Sequence, residues 1–267
     1  MAFACCFPCS NPDKKVFLLK FDLKYNQLPL FTLLCGGLGA LLRLWLYGTG
    51  LDEEGLLVTA HPAGILVLIL SALTIAVLLW FLRHFSAQGK YPRQFPASVW
   101  GSLGAFVAAA CILLAAMLDL IRRENALAVL AGFLGIAAAG AMAMTALCRY
   151  KGMRPNFLFH TVICLFFVVR LISRYQNWSA DPQLHDYCFQ LLATVCAMLY
   201  SYHRAALDLK NGNRRPLVVI GLLGTYFCCL SVVASDAYFF YAAIGAWMVS
   251  NLGVLNIPVA VSGEDKG

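Results

Sequence analysis

Arginine, histidine and aspartate come together twice in an otherwise apolar chain. In RLWLYGTGLDEEGLLVTAHPAG, Arg43 lies near the end of one apolar run, Asp52, Glu53 and Glu54 occupy a polar loop, and His61-Pro62 opens the next run. In FFVVRLISRYQNWSADPQLHDYC, Arg170 and Arg174 precede a similar loop that leads to His185-Asp186. Guanidinium groups hold carboxylates and phosphates through forked, charge-assisted hydrogen bonds. Histidine and aspartate can ligate zinc-like ions or exchange protons. The candidate ligand-binding residues are therefore Arg43, His61, Asp119, Arg170, Arg174, His185, Asp186 and Asp236.

Each of these also has a plainer reading. A long arginine side chain near a helix end can reach lipid headgroups instead of facing other helices. Asp119 precedes Arg122 and Arg123 by three and four residues, so a pair along one helix face would satisfy it locally. Asp186 and Asp236 open apolar runs, where first-turn acids are favoured for structural reasons. His61, Asp119, His185 and Asp186 are ligand types for a metal, but no H-x-x-x-H or H-E-x-x-H spacing supports one. The sequence has no P-loop, dinucleotide-binding glycine motif or G-x-S-x-G elbow in a suitable context, so no cofactor is expected.

The elements that position these residues follow from composition. The 267 residues are 61% hydrophobic and 12% charged, with a mean hydropathy of +0.75; soluble domains carry about 25% charged residues. Apolar runs of about 20 residues, the length that crosses a bilayer as a helix, recur at 29–47, 62–82, 98–121, 126–148, 156–174, 186–206, 215–234 and 237–256. The expectation is an all-α, polytopic bundle of about eight helices: a tail over 1–28, a first half over 29–148, a second half over 156–256, and a tail over 257–267.

With the amino terminus in the cytoplasm, fifteen of the 20 lysines and arginines fall on the inner side, as the positive-inside rule requires. Both termini are then cytoplasmic, the protein sits in a cell membrane, and the candidate residues collect at the outer surface. Trp45, Tyr47, Tyr175, Trp178, Tyr187 and Tyr238 would form an outer aromatic belt. Trp80, Trp100, Tyr150, Tyr200 and Tyr202 would form the inner one. His84, His160 and His203 fall near inner helix ends and read as interfacial. The net charge of +7 is dispersed over loops, which argues against nucleic acid as a partner. Membrane lipids and a small molecule are the expected partners; nothing in the chain sets an oligomeric state.

The halves resemble one another at a nearly constant offset: Arg43 with Arg170, His61 with His185, and Gly101-x-x-Gly104 with Gly221-x-x-Gly224. Four helices per half would make this a parallel repeat. The Gly- and Ala-rich first and fourth runs are expected near the centre, because small residues let helices approach in lipid. Most of the 11 cysteines lie in apolar runs as small hydrophobes, and Cys6 and Cys9 have the spacing of half a zinc site with no second pair. No cleavable signal peptide is expected, since the first long apolar run starts near Pro29 behind a polar segment.

The passages QNWSADPQLHDYCFQLLATVCAMLYSYHRAA and RLWLYGTGLDEEGLLVTAHPAG resemble a family of uncharacterised integral membrane proteins of anaerobic Gram-positive bacteria. The resemblance implies a bacterial membrane and no activity. Three readings follow. One is transport or binding of a small anionic or amphipathic ligand in an outward-facing pocket. The second is a membrane-embedded lipid hydrolase or transferase using His61, Asp119, His185 and Asp186. The third is a scaffold without a ligand.

Overall fold

The computed structural model describes residues 6–7, 27–50, 61–83, 99–123, 125–178, 187–209, 212–233 and 237–253. Among them are eight helices: α1 (Leu28–Thr49), α2 (Pro62–Arg83), α3 (Val99–Arg122), α4 (Ala126–Tyr150), α5 (Phe157–Trp178), α6 (Cys188–Asp208), α7 (Arg214–Val233) and α8 (Tyr238–Gly253). Two short strands, β1 (Cys6–Phe7) and β2 (Arg154–Pro155), pair antiparallel. Each apolar run has its helix, and the clearest departure is α5, which continues past residue 174 to Trp178. Helices α1, α2, α3, α4, α5 and α7 are long and apolar enough to cross a membrane. The chain is a multi-pass membrane protein with an all-α fold.

Local signals set the helix ends. Asn125 is extended and its side chain accepts a 2.7 Å hydrogen bond from the Ala128 amide, capping α4. Asn156 does the same for Leu158 at the start of α5. Proline sits in the first turn of α1 and opens α2, where its missing donor removes nothing. Gly152, at φ 66°, turns the chain after α4. The hydroxyls of Thr32, Ser71, Thr74, Ser201, Thr225 and Ser231 return to carbonyls four residues earlier, so these mild polar groups need no other partner inside the apolar helices.

Helices α3 to α8 pack each on the next, and α8 packs back on α3, closing a six-helix ring. The α1–α2 hairpin leans on α7. Successive helices reverse direction, so α1 starts and α8 ends on one face, called here the terminal face; the opposite face is distal. Small residues make the close approaches. A Cβ on Gly135 of α4 would stand 2.6 Å from that of Ala116 on α3, and one on Gly224 of α7 would stand 2.9 Å from Cys196 on α6. Gly104 and Gly221, paired in the sequence comparison, both face the last turns of α8, at Ser250 and Leu252.

The ring interior is filled. Phe240 of α8 sits 6.4 Å, ring to ring, from both Phe166 and Phe167 of α5, and Tyr200 of α6 stands edge-on to Trp247 of α8 at 5.0 Å. α4 has a largely buried small-residue face between α3 and α5. α1 does not lie at the centre. Its Gly36 and Gly39 meet Cys229 and Leu230 of α7, while Leu30, Leu34, Leu38, Leu41 and Leu44 are exposed. Its glycines serve one contact, and the rest of its surface is suited to lipid.

Exposed aromatic residues mark both faces: Trp45, Tyr175 and Tyr238 on the distal side, and Trp80, Trp100, Tyr150 and Tyr202 on the terminal side. Tyr200, expected in the second belt, is fully buried instead. It occupies the interior face of α6, whereas Tyr202, two residues on, faces outward.

Candidate functional site

At the distal face, one carboxylate joins two helices. Asp119 lies in the last turn of α3, and Arg170 and Arg174 stand one turn apart on α5. Arg170 Nη1 donates to Asp119 Oδ2, and Arg174 Nη2 donates to Asp119 Oδ1 at 3.2 Å. Arg170 is buried and also covers the Phe240 ring, its guanidinium carbon 4.2 Å from the ring centroid. The Arg174 side chain is 27% exposed. The local pairing of Asp119 with Arg122 and Arg123 is not what occurs. Arg123 contributes only its amide, which donates to the Asp119 carbonyl at 3.2 Å.

Arg43 also turns inward. It is 2% exposed, and its Nη1 donates at 3.0 Å to the carbonyl of Leu230 on α7. Leu230 is in the last turn of α7, where carbonyls have no helical amide to accept from, so Arg43 caps that helix end and sets positive charge at its negative pole. Its second nitrogen donates to the Tyr47 hydroxyl at 3.1 Å, and the guanidinium carbon lies 5.0 Å from the Phe189 ring centroid of α6. Thus Arg43 of the first half reaches α7 in the second, and Arg170 of the second half reaches α3 in the first.

His61 belongs to the α1–α2 junction. Its Nδ1 accepts from the Ala63 amide at 3.3 Å, its Nε2 lies 3.4 Å from the Thr49 hydroxyl, and its ring meets Trp45 edge-on. His185, Asp186 and Asp236 lie outside the described residues, as do Asp52, Glu53, Glu54, His84 and Cys9. No group of three metal-ligating side chains occurs among the described residues. Of the eight candidates, Asp119, Arg170 and Arg174 form one cluster, while Arg43 and His61 serve other contacts.

The terminal face holds a second polar cluster that sequence reasoning missed. Tyr200, Arg204 and Asp208 recur at four-residue spacing along α6, and all three are buried. His160 of α5, expected at the interface, is 2% exposed, with Nε2 3.5 Å from Asp208 Oδ2. Arg149, at the end of α4, is buried too. Arg154 of β2 donates at 2.9 Å to the Leu207 carbonyl and so caps the end of α6. Arg214 is buried in the first turn of α7 on the same face. The signal is the four-residue stagger of Tyr200, Arg204 and Asp208; Arg149, Arg154, Arg204 and Arg214 are among the fifteen basic residues that the positive-inside rule assigns to the inner side.

The structure thus offers a distal Asp119–Arg170–Arg174 network and a terminal-face arginine cluster, separated by the aromatic interior. No protein-family model, curated protein or solved structure matches this chain, so the resemblance drawn from the two loop passages gains no support there.

Proposed function

We propose that this membrane protein binds a small anionic or amphipathic molecule at its distal mouth, with Arg174 as the first contact. The observation that carries the reading is the shared carboxylate. Two guanidinium groups meet on Asp119, and the second keeps 27% of its side chain exposed. Arg170 is held in place by its buried ion pair, while Arg174 can exchange Asp119 for an incoming acidic group. Following the positive-inside rule, the distal face is the outer one and both termini are cytoplasmic. An impermeant amine reagent on intact cells should then spare Lys210; labelling of Lys210 would reverse the orientation.

The test uses purified protein in maltoside micelles. Thermal unfolding is followed with acetate, succinate, inorganic phosphate or anionic lipid added, for the wild type and Arg174→Gln. The reading requires at least one anion whose stabilisation falls roughly tenfold in apparent affinity in the variant, the size of one charge-assisted hydrogen bond. Equal stabilisation of both proteins by every anion, or of neither, removes it.

A second reading, a scaffold that holds no ligand, is favoured by the packing of Phe166, Phe167 and Phe240 beside Arg170. In that case the arginines only lock helices together, and the same titration distinguishes the two.

A further inference from the structure

The start of α7 lies on the terminal face, opposite the Asp119 network. The helix opens with Arg214-Arg215-Pro216-Leu217 and runs 20 residues to Val233. The first amides of a helix have no carbonyl four residues back to bind, and they form the positive pole of its dipole. Pro216 has no amide, so those of Arg214, Arg215 and Leu217 are the ones turned toward the terminal surface. Acidic side chains are favoured at such a pole. This turn holds none and begins instead with two arginines.

Arg214 itself supplies an independent observation. It is 5% exposed, and its Nη2 is buried without a hydrogen-bond partner among the described residues. Every Cα–Cβ bond in a helix tilts toward the amino terminus, so the side chain of the first residue leads out past the helix end, on the side of the free amides. A buried donor left unmade is rare, and such an atom marks a site that an ion or ligand completes. Charge makes the omission more costly than for a neutral group.

We infer that the first turn of α7 binds a phosphate group, held by the Arg214 guanidinium together with the amides of that turn. Both donor sets are of kinds that take phosphate: a guanidinium fork meets two of its oxygens, and helix amino-terminal amides meet the others. A halide gives the fork no second acceptor, and a carboxylate has no third oxygen for the amides. With phosphate in place, the guanidinium and the helix pole, which otherwise repel, share one counter-ion. Exposed Trp80 and Tyr202 mark the bilayer surface on this face. The phosphate can therefore come from a phospholipid headgroup or from free phosphate in the adjoining water.

The experiment uses full-length protein in phosphate-free maltoside micelles, with thermal unfolding as readout. One arm adds inorganic phosphate against chloride at matched ionic strength. The other dopes the micelles with phosphatidic acid against neutral diacylglycerol. A saturable rise in Tm with inorganic phosphate identifies free phosphate as the ligand, and a rise with phosphatidic acid alone identifies the headgroup. In either case Arg214→Met should weaken the apparent affinity about tenfold. Methionine keeps the apolar stem, and Nη2 has no described partner to lose, so before phosphate is added the variant should melt at or above the wild-type temperature. No rise in either arm overturns the inference, as does a rise that survives Arg214→Met unchanged. An Arg214→Met variant that melts lower or fails to fold without phosphate would show that the protein itself pairs Arg214, with the same consequence. A rise abolished by Arg174→Gln would assign the anion to the distal mouth instead.

Discussion

The distal and terminal faces both bury arginine, but they balance it differently. At the distal face every buried guanidinium has a fixed protein partner: Arg170 has the Asp119 carboxylate, and Arg43 has the Leu230 carbonyl at the end of α7. At the terminal face Asp208 lies beside the buried His160, Arg154 caps α6 through the Leu207 carbonyl, and the Tyr200 hydroxyl has no hydrogen-bond partner among the described residues. The buried Asp119–Arg170 pair fastens α3 to α5, and the partly exposed Arg174 beside it is the group left to exchange partners. A buried hydroxyl without a partner contributes no such tie between helices. The aromatic interior around Phe166, Phe167 and Phe240 keeps the two apart, so traffic between them would require α5 and α8 to repack.

The strongest test of the contrast is to remove the distal anion. Asp119→Leu should destabilise the protein by about 3–5 kcal/mol, because it leaves the Arg170 charge buried without its counter-ion. The double variant Asp119→Leu/Arg170→Met should recover most of that loss, since an apolar pair fills the same place without charge. Thermal or denaturant unfolding in micelles measures both. If Asp119→Leu proves mild, or the second substitution fails to rescue it, the distal cluster is not a fastener, and the difference between the faces collapses.

How far the chain announced this arrangement depends on the kind of signal. The helices were legible because the bilayer imposes a length and an apolar composition that few other constraints can mimic. Arg43 and Arg170 were legible as inward-facing candidates because charge within a span has few acceptable placements. Their partners were not. Asp119 has arginines three and four residues away on its own helix, and only the packed bundle shows that the arginines of α5 take it instead. The terminal cluster was hidden by a rule that works. Counting Arg149, Arg204 and Arg214 as inner-side charge treats them as solvated, yet at the ends of packed helices all three are buried. The four-residue stagger of Tyr200, Arg204 and Asp208 was the readable clue.

A smaller effect is expected from Arg43→Met. The side chain caps the α7 end through the Leu230 carbonyl, so its loss removes that bond, the bond to the Tyr47 hydroxyl and a favourable charge at a helix C-terminus, about 1–2 kcal/mol together. Methionine keeps the apolar stem and leaves no buried charge behind, which is why the loss should be less than for Asp119→Leu. Unfolding midpoints rank the two variants. The reverse order would make the α1–α7 contact, and not the ion pair, the chief distal fastener.

The finest comparison is between two buried tyrosines. Tyr226 of α7 has its hydroxyl 2.9 Å from that of Ser71 on α2, whereas the Tyr200 hydroxyl has no partner among the described residues. Interhelical hydrogen bonds in membranes contribute about 0.6 kcal/mol on average, and Ser71 keeps its bond to the Val67 carbonyl when Tyr226 is altered. Tyr226→Phe should therefore lower stability by about that amount in any buffer. Tyr200→Phe should leave stability unchanged or slightly raised, because it removes a buried donor that makes no hydrogen bond to the described residues. A Tyr200→Phe loss as large as that of Tyr226→Phe would mean that the protein itself satisfies the Tyr200 hydroxyl.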